Sequence, residues 1–382
     1  MTTLIDAPAR PMPSRTDTAR SGKDVLRVAV VGCGKIADAH VEQVRRIPGA
    51  ELVAVCDLEP LMAEQLAVRN GIRTWYSDFG RMLSLERPDV VHITTPPMSH
   101  FALAVQAAEA GCDLVVEKPL SPDFATTRLL LERVGAAGRK LTVGYSYHFD
   151  PAMRKLRTIV AAGTLGEVVH VEATYGYDLT GPFGQALRAD TSHWVRRLPG
   201  GLFQNVLDHV CDQVAEFVVA PQPRVIVDAF SRSLPPRETT GFVEELRVLV
   251  RGGGVTASIT FSPGVRPVRH LLRVCGTRAT ATADIGNRTV TLDTAGRLPG
   301  VVGRLAHPFQ QAQRHFREGR ENLRQFARHE FHFFDGLHEL LSKFYASIRM
   351  DEEPPLGNEH VLRVAHLMDA ILLQCPRYGD AA

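Results

Sequence analysis

The stretch Val25–His40, VLRVAVVGCGKIADAH, decides the fold. An apolar run, Val28–Val31, breaks into Gly32-Cys33-Gly34-Lys35-Ile36-Ala37 and then turns helical towards Arg46. Glycine is needed where backbone must turn sharply or approach a ligand closely. Two glycines where a buried strand ends, followed by a helix, form a G-x-G-x-x-A turn. The next strand, ELVAVCD, ends in Asp57, 23 residues beyond Gly34. That arrangement predicts a dinucleotide site. Pyrophosphate would rest on the helix N-terminus at Lys35 and Ile36. Ala37 would let helix and strand pack closely, and Asp57 would accept from the adenosine ribose hydroxyls. A carboxylate there repels a 2′-phosphate, and Leu58-Glu59-Pro60 supplies no cation for one. The expected cofactor is therefore NAD rather than NADP.

Strands and helices continue to alternate outward from this motif. DVVHITTP, CDLVVEKP and KLTVGYSY read as strands, with helices between them. Apolar runs without alternation suit a sheet buried on both faces, so residues 25–150 are expected to form a doubly wound parallel Rossmann domain. From Pro151 the pattern changes. EVVHVEATYGYDL, PRVIVDAFSRSL, FVEELRVLVRG, GVTASITFS, HLLRVCGTRATATADI and RTVTLD read as strands, several alternating apolar with polar residues. Residues 151–382 are thus expected to be an α+β domain with a large open antiparallel sheet. The open face is either a subunit interface or is covered by the chain's own helices. Residues 303–347 read as helical. The basic run at 303–328 is interrupted by Glu318 and Glu321, which favours a solvated helix face over a nucleic-acid patch. The last helix, NEHVLRVAHLMDAILLQ, is expected to pack back on the first domain.

Bulk properties exclude other classes. The 382 residues carry a formal net charge of +2, with 45% hydrophobic and 23% charged side chains. That balance gives no basic attraction to nucleic acid or membranes, and no apolar run approaches the roughly 20 residues of a membrane helix. Residues 1–24 lack an apolar block and read as a disordered leader. The six cysteines show no C-x-x-C spacing, so no metal site is expected, and they suit reduced thiols in the cytoplasm.

Three further segments, TTPPMSH (Thr94–His100), EKP (Glu117–Pro119) and PGGLFQNVLDHVCD (Pro199–Asp212), join the glycine turn. Together they resemble the glucose–fructose oxidoreductase, inositol dehydrogenase and rhizopine catabolism family, Gfo/Idh/MocA. The resemblance covers roughly residues 25–380. It implies hydride transfer between a nicotinamide and a secondary alcohol or ketone of a sugar, cyclitol or nucleotide sugar, and a homodimer or homotetramer built through the open sheet. It implies that Thr95, Pro96 and His100 line the nicotinamide side, with Glu117 beside Lys118. Lys118 matches the family's catalytic lysine, where a cation stabilises alkoxide character. His209 matches its proton-transferring histidine.

Asn205, His209 and Asp212, at i, i+4 and i+7, would share one helix face. Asn205 departs from the more common aspartate and adds no negative charge to an imidazolium. Asp208 is a candidate for that missing charge, the plainer reading being a polar helix flank. Tyr147, His148, Trp194 and Arg197 match stretches that could reach substrate, the plainer readings being packed aromatic residues and a structural arginine pair. Two other readings stay open: an NAD-dependent glycosidase with transient oxidation, and a non-enzymatic NAD- and sugar-binding sensor.

Overall fold

The fold is that of a computed structural model, which describes residues 25–190, 192–231, 243–294 and 300–375. The expected leader lies outside the described residues, as does the tail of PRVIVDAFSRSL. In chain order the elements are β1 (Leu26–Val31), α1 (Lys35–Arg46), β2 (Ala50–Cys56), α2 (Pro60–Arg69), β3 (Trp75–Tyr76), α3 (Phe79–Glu86), β4 (Val90–Ile93), α4 (His100–Glu109), β5 (Asp113–Val116), α5 (Phe124–Ala136) and β6 (Leu141–Val143). Then follow α6 (Pro151–Ala161), β7 (Val168–Gly176), α7 (Pro182–Ala189), α8 (Gly201–Val206), α9 (Asp208–Phe217), β8 (Arg224–Phe230), β9 (Glu245–Gly252), β10 (Val255–Ser262), β11 (His270–Gly276), β12 (Ala279–Asp284) and β13 (Thr289–Thr294). Three helices close the described chain: α10 (Gly300–Ala327), α11 (Asp335–Met350) and α12 (Asn358–Leu372).

Strands β1 to β6 form a six-stranded sheet in the order β3-β2-β1-β4-β5-β6. Every neighbouring pair is parallel. This is the doubly wound dinucleotide-binding order, with its crevice between β1 and β4. β4 and β5 are buried at every residue, as strands covered on both faces must be. Helix α1 seals the sheet through Ala37 and Val41, packed with Val30, Cys33 and Val55. The two-residue β3 is too short to leave a periodic pattern and was not foreseen.

The second sheet has seven strands in the order β13-β12-β11-β7-β10-β9-β8. It is mixed rather than wholly antiparallel, because β7 and β10 pair in parallel. The other pairings are antiparallel. Its inner face buries Val171, Ala173, Ile259, Phe261, Leu272 and Val274, with α9 against β7 and β10 and α6 against β12. Its outer face is polar and partly exposed, as at Glu172 and Arg273, which pair at 3.3 Å. HLLRVCGTRATATADI, read as one strand, is the hairpin β11–β12.

The described residues divide into two compact units: those of 25–121, 125–144 and 340–357, and those of 122–124, 145–339 and 358–375. The part of the C-terminal region that joins the first unit is therefore α11 from Leu340 onward, with the segment that follows it to Gly357. Helix α12, expected on the first domain, belongs to the second unit, where it packs on α9, α8 and β8. Its spacing showed an apolar face but not which partner would cover it. Among the described residues no helix is long and apolar enough to cross a membrane. The six cysteines are free thiols, four of them buried.

The tightest point of the first unit is Gly32, with φ at +92°. A Cβ placed there would lie 2.6 Å from Thr95 Cγ2 and 2.7 Å from Thr95 N. Gly32→Ala therefore meets both a left-handed backbone and a backbone clash. It should destabilise the fold by about 2–4 kcal/mol in urea unfolding. A change below about 1 kcal/mol would show that the turn relaxes freely.

Candidate functional site

The first unit gathers its candidate residues at the carboxyl ends of β1, β2, β4 and β5. Gly34 is the N-cap of α1, and no side chain caps that helix. Ala37 N donates back to Gly34 O at 3.0 Å, which leaves the Lys35 and Ile36 amides to water or an anion. A Cβ at Gly34 would meet nothing within 4 Å. The space over the turn is open, the condition a pyrophosphate requires. Lys35 is exposed and Ile36 half-buried at this mouth, while Ala37 is fully buried beneath it.

Asp57 has a structural task that the spacing did not reveal. Its Oδ2 accepts from Cys33 N at 2.6 Å, and its Oδ1 accepts from Glu59 N at 2.9 Å. The carboxylate clamps the glycine turn to the end of β2, and its remaining lone pairs stay usable by ribose hydroxyls. Thr94 ties β4 to the same turn through its hydroxyl, 2.6 Å from Gly32 O. Thr95 is half-buried, its hydroxyl accepting from Ser99 at 2.7 Å, and Pro96 is exposed beside it.

His100 does not line a cleft through its ring nitrogens, contrary to expectation. It is fully buried, with Nδ1 3.1 Å from Pro119 O and Nε2 2.7 Å from Thr95 O. It staples the β4 loop to the β5 loop. Glu117, expected beside the cofactor, is likewise internal. Its Oε1 lies 3.0 Å from His40 Nε2, and its Oε2 accepts from Lys118 N at 3.2 Å.

Behind Glu117 runs a buried chain that the sequence did not suggest. His40 Nδ1 faces His92 Nδ1 at 2.9 Å, and His92 Nε2 faces the Tyr345 hydroxyl at 2.7 Å. One assignment satisfies every contact. Tyr345 O–H donates to His92 Nε2, His92 Nδ1–H donates to His40 Nδ1, and His40 Nε2–H donates to the Glu117 carboxylate. The electrostatics agree. Burial, then His40, holds His92 well below the ordinary histidine value, keeping it neutral. Burial pushes the Tyr345 phenol well up. Burial alone would raise Glu117, but the hydrogen bond from His40, with the charge and backbone N–H of Lys118, brings it below the ordinary carboxylate value. The ionised carboxylate then fixes the backbone at half-buried Lys118. Gly144 makes room, since a Cβ there would lie 2.5 Å from Glu117 Oε1.

The second unit carries the other candidates. Asn205 and His209 do not share one unbroken helix, because α8 ends at Val206 and α9 starts at Asp208. Both residues are half-buried. His209 stands edge-on to Tyr147, ring centroids 4.5 Å apart, and to Tyr175 at 5.8 Å. Tyr147 and Tyr175 also flank His270, at 4.6 and 4.8 Å. Burial lowers His270 to about 3, so that imidazole is neutral. This ring cluster includes two residues that sequence reading missed, Tyr175 on β7 and His270 on β11. Only strand pairing across the sheet, Tyr175 opposite His270, brings them together.

Asp208, the candidate charge, and His148, an expected substrate contact, are engaged internally. Asp208 is buried, and its Oδ1 accepts from the Tyr145 hydroxyl at 3.4 Å. His148 pairs with Asp212, Nδ1 to Oδ1 at 3.0 Å, and His360 Nε2 reaches the same oxygen at 2.6 Å. Two imidazoles and a carboxylate are also a metal-ligand set. Their separations are hydrogen-bond lengths, however, shorter than the about 3.4 Å between neighbouring ligands on a tetrahedral zinc. Trp194 is half-buried and stacked on His193 at 5.9 Å, in a turn packed against α8. Arg197 is exposed, and its neighbour Arg196 donates to Leu187 O at 2.7 Å.

One unit with a six-stranded parallel sheet of dinucleotide-binding order and another with a seven-stranded mixed sheet define a two-unit α/β and α+β class of protein. Residues 26–145 match the family model described as oxidoreductase family, NAD-binding Rossmann fold, and residues 153–282 match the GFO/IDH/MocA C-terminal domain. The chain belongs to the Gfo/Idh/MocA family. A scyllo-inositol 2-dehydrogenase (NAD(+)) of Bacillus subtilis is 34% identical over 146 residues, 38% of this chain and 43% of that one. A myo-inositol dehydrogenase of Streptomyces leeuwenhoekii is 29% identical over 248 residues, 65% of this chain and 73% of that one. With several curated relatives the match thus spans only about two fifths of their length. The fold is shared with the WlbA dehydrogenase from Bordetella pertussis, solved with NADH and UDP-GlcNAcA. The TM-score is 0.70 at 19% identity, over 92% of this chain and 95% of that one.

Asp212 allows a test of the second unit. Burial would raise its carboxyl, but the charges and hydrogen bonds of His148 and His360 hold it well below the usual range. A carboxyl depressed in the fold stabilises at every pH above its unfolded value near about 4, and that contribution fades as pH falls lower. Asp212→Asn should lose on the order of 3 kcal/mol at pH 7. Its stability gap from the wild type should narrow below about pH 4. Denaturation curves from pH 7 to pH 3 check this, and a gap that stays constant would count against the pairing.

Proposed function

We propose that this chain is an NAD-dependent dehydrogenase acting on a secondary alcohol, or the matching ketone, of a sugar, cyclitol or nucleotide sugar. The observation that carries the reading is the pinning of Lys118 by the Glu117 carboxylate, in the same unit as the open glycine turn. Names borne by its relatives, among them inositol dehydrogenases and a dehydrogenase solved with a UDP-sugar, supply the substrate range.

Lys35, Ile36 and the Gly34 backbone would hold the pyrophosphate, with Asp57 holding the adenosine ribose. Thr95 and Pro96 would border the nicotinamide. The bound nicotinamide supplies a hydride acceptor or donor. Lys118 hydrogen-bonds the substrate oxygen and offsets negative charge as it develops there. His209 takes the hydroxyl proton in oxidation and returns it in reduction, with Asn205 as its orienting neighbour. Tyr147 and the ring cluster shape the apolar side of the sugar site, and Trp194 and Arg197 face its solvent side. The outer face of the second sheet, partly exposed among the described residues, supports assembly as a homodimer or homotetramer. Six free thiols suit a cytoplasmic setting.

Assays at the NADH absorbance band, over free sugars, cyclitols and nucleotide sugars, test the activity. Lys118→Ala should lower kcat by about 10²–10³-fold while NADH titration by fluorescence stays unchanged. Undiminished turnover in that variant would refute the role of the lysine. NADH binding with no turnover on any substrate would point to a sensor instead.

The Asp57 carboxylate should make NAD bind at least about tenfold, or 1.4 kcal/mol, more tightly than NADP. Asp57→Ser should narrow that ratio. Tighter NADP binding by the wild type would reverse the cofactor assignment.

A further inference from the structure

Helix α10 is built inside out. It runs for 28 residues, about 42 Å, and none of them is buried. The face turned towards its own sheet is polar. Glu318 accepts from Val290 N at 2.9 Å and pairs with Lys155. Asn322 donates to Asn287 O at 2.8 Å, Arg314 donates to the Thr294 hydroxyl at 3.4 Å, and His307 sits 3.5 Å from Asp293.

The face turned to solvent is apolar. Phe309, Phe316 and Phe326 are 78%, 73% and 68% exposed, and Leu305 and Leu323 are each 66% exposed. An amphipathic helix normally buries its apolar stripe. Here, among the described residues, nothing covers it.

The stripe has an internal order. From Val302 its members step by alternating intervals of three and four to Phe326, the seam of an antiparallel or parallel helix pair. They are also symmetric about Arg314. Val302 and Phe326 lie twelve positions either side of it, Leu305 and Leu323 nine, Phe309 and Gly319 five, and Ala312 and Phe316 two.

Laid antiparallel on a copy of itself, with a two-fold axis at Arg314, each residue meets its symmetry partner. Phe309 then faces Gly319 of the other copy, and Phe316 faces Ala312. Large side chains fall opposite the two smallest, which is how helix seams fill without voids. The flanking position nearest the axis is Gln313, one residue from Arg314, so its two copies lie on the same side of the seam, about 3 Å apart along it. Pro308, the one proline inside the helix, precedes the four central layers, which lie wholly within residues 309–319.

We propose that α10 is a homodimerisation surface that pairs antiparallel with α10 of a second copy of this chain. Such a contact is isologous and closed. The exposed stripe offers on the order of 800 Å² per copy, the size of a standard specific interface. Its burial is worth on the order of 25 cal/mol per Å² before association costs. An arginine-rich helix with exposed phenylalanines could also lie on an anionic membrane. A membrane, however, needs no glycine and alanine placed opposite the phenylalanines, so the symmetric register favours the second copy.

The test uses the full chain in size-exclusion chromatography with light scattering. Phe309→Glu/Phe316→Glu should halve the mass, whatever the size of the wild-type assembly, with an unchanged circular dichroism spectrum and melt. Phe309→Glu alone should weaken association in the same direction. Oxidised Gln313→Cys should give an intermolecular disulfide dimer on a non-reducing gel. Gln310→Cys, on the far side of the helix, and the wild type should not.

An unchanged mass in the double variant would overturn the proposal. So would absence of the disulfide in Gln313→Cys. A monomeric wild type that co-sediments with phosphatidylserine vesicles, and loses this in the double variant, would overturn it in favour of a membrane.

Discussion

Where β1 ends, the backbone at Gly32 runs so close to Thr94 and Thr95 that no side chain fits between them. The rest of the first unit is arranged around that contact. It brings the carboxyl ends of β1 and β4 together at the point where the strand order reverses, and it turns the first amides of α1 outward. Two carboxylates then hold the mouth in shape. Asp57 fixes the turn through Cys33 N, and Glu117 fixes the end of β5 through Lys118 N. Both act through charge-assisted hydrogen bonds to backbone, stronger and more directional than neutral ones.

A buried carboxylate is costly unless its charge is answered. The Glu117 charge is answered by a one-way chain of donors from Tyr345 through His92 and His40. His92 and His40 each give one hydrogen bond and accept one, so no buried ring nitrogen in the chain lacks a partner. Because Tyr345 lies on α11, this C-terminal helix supports the same carboxylate as the first helix of the chain. In the second unit Asp212 is answered differently, by two imidazoles converging on one oxygen. The same physical requirement, a buried acid in need of donors, is met by unrelated residues in the two units.

Most of the architecture was legible because it follows from local rules. Apolar runs separated by amphipathic helices produced the parallel sheet, and alternation produced the second sheet. The parallel β7–β10 pair was not legible, since a strand's residues do not say which neighbour it will choose. Nor was the partner of α12. Among site residues, the positions with a backbone requirement, Gly32, Gly34 and Ala37, stand where their spacing placed them. The polar side chains fared less well. His100, Glu117, Asp208 and His148 sit in the expected segments, yet their polar atoms engage the protein itself. Spacing locates a side chain along an element but does not say which groups the folded chain brings to it.

The sequence by itself determined the glycine turn, the parallel sheet around it and the position of Lys118 at a strand end, because strand length, helix period and the need for glycine are properties of neighbouring residues. It also contained the symmetric stripe of α10, which reads as an ordinary amphipathic helix until the direction of its apolar face is known. Only the tertiary structure decided that His40, His92 and Tyr345 stand behind Glu117, that Tyr175 and His270 surround Tyr147, and that α10 turns its apolar side outward. Those facts join residues tens to hundreds of positions apart, and distance along a chain carries no information about such contacts until the core has closed.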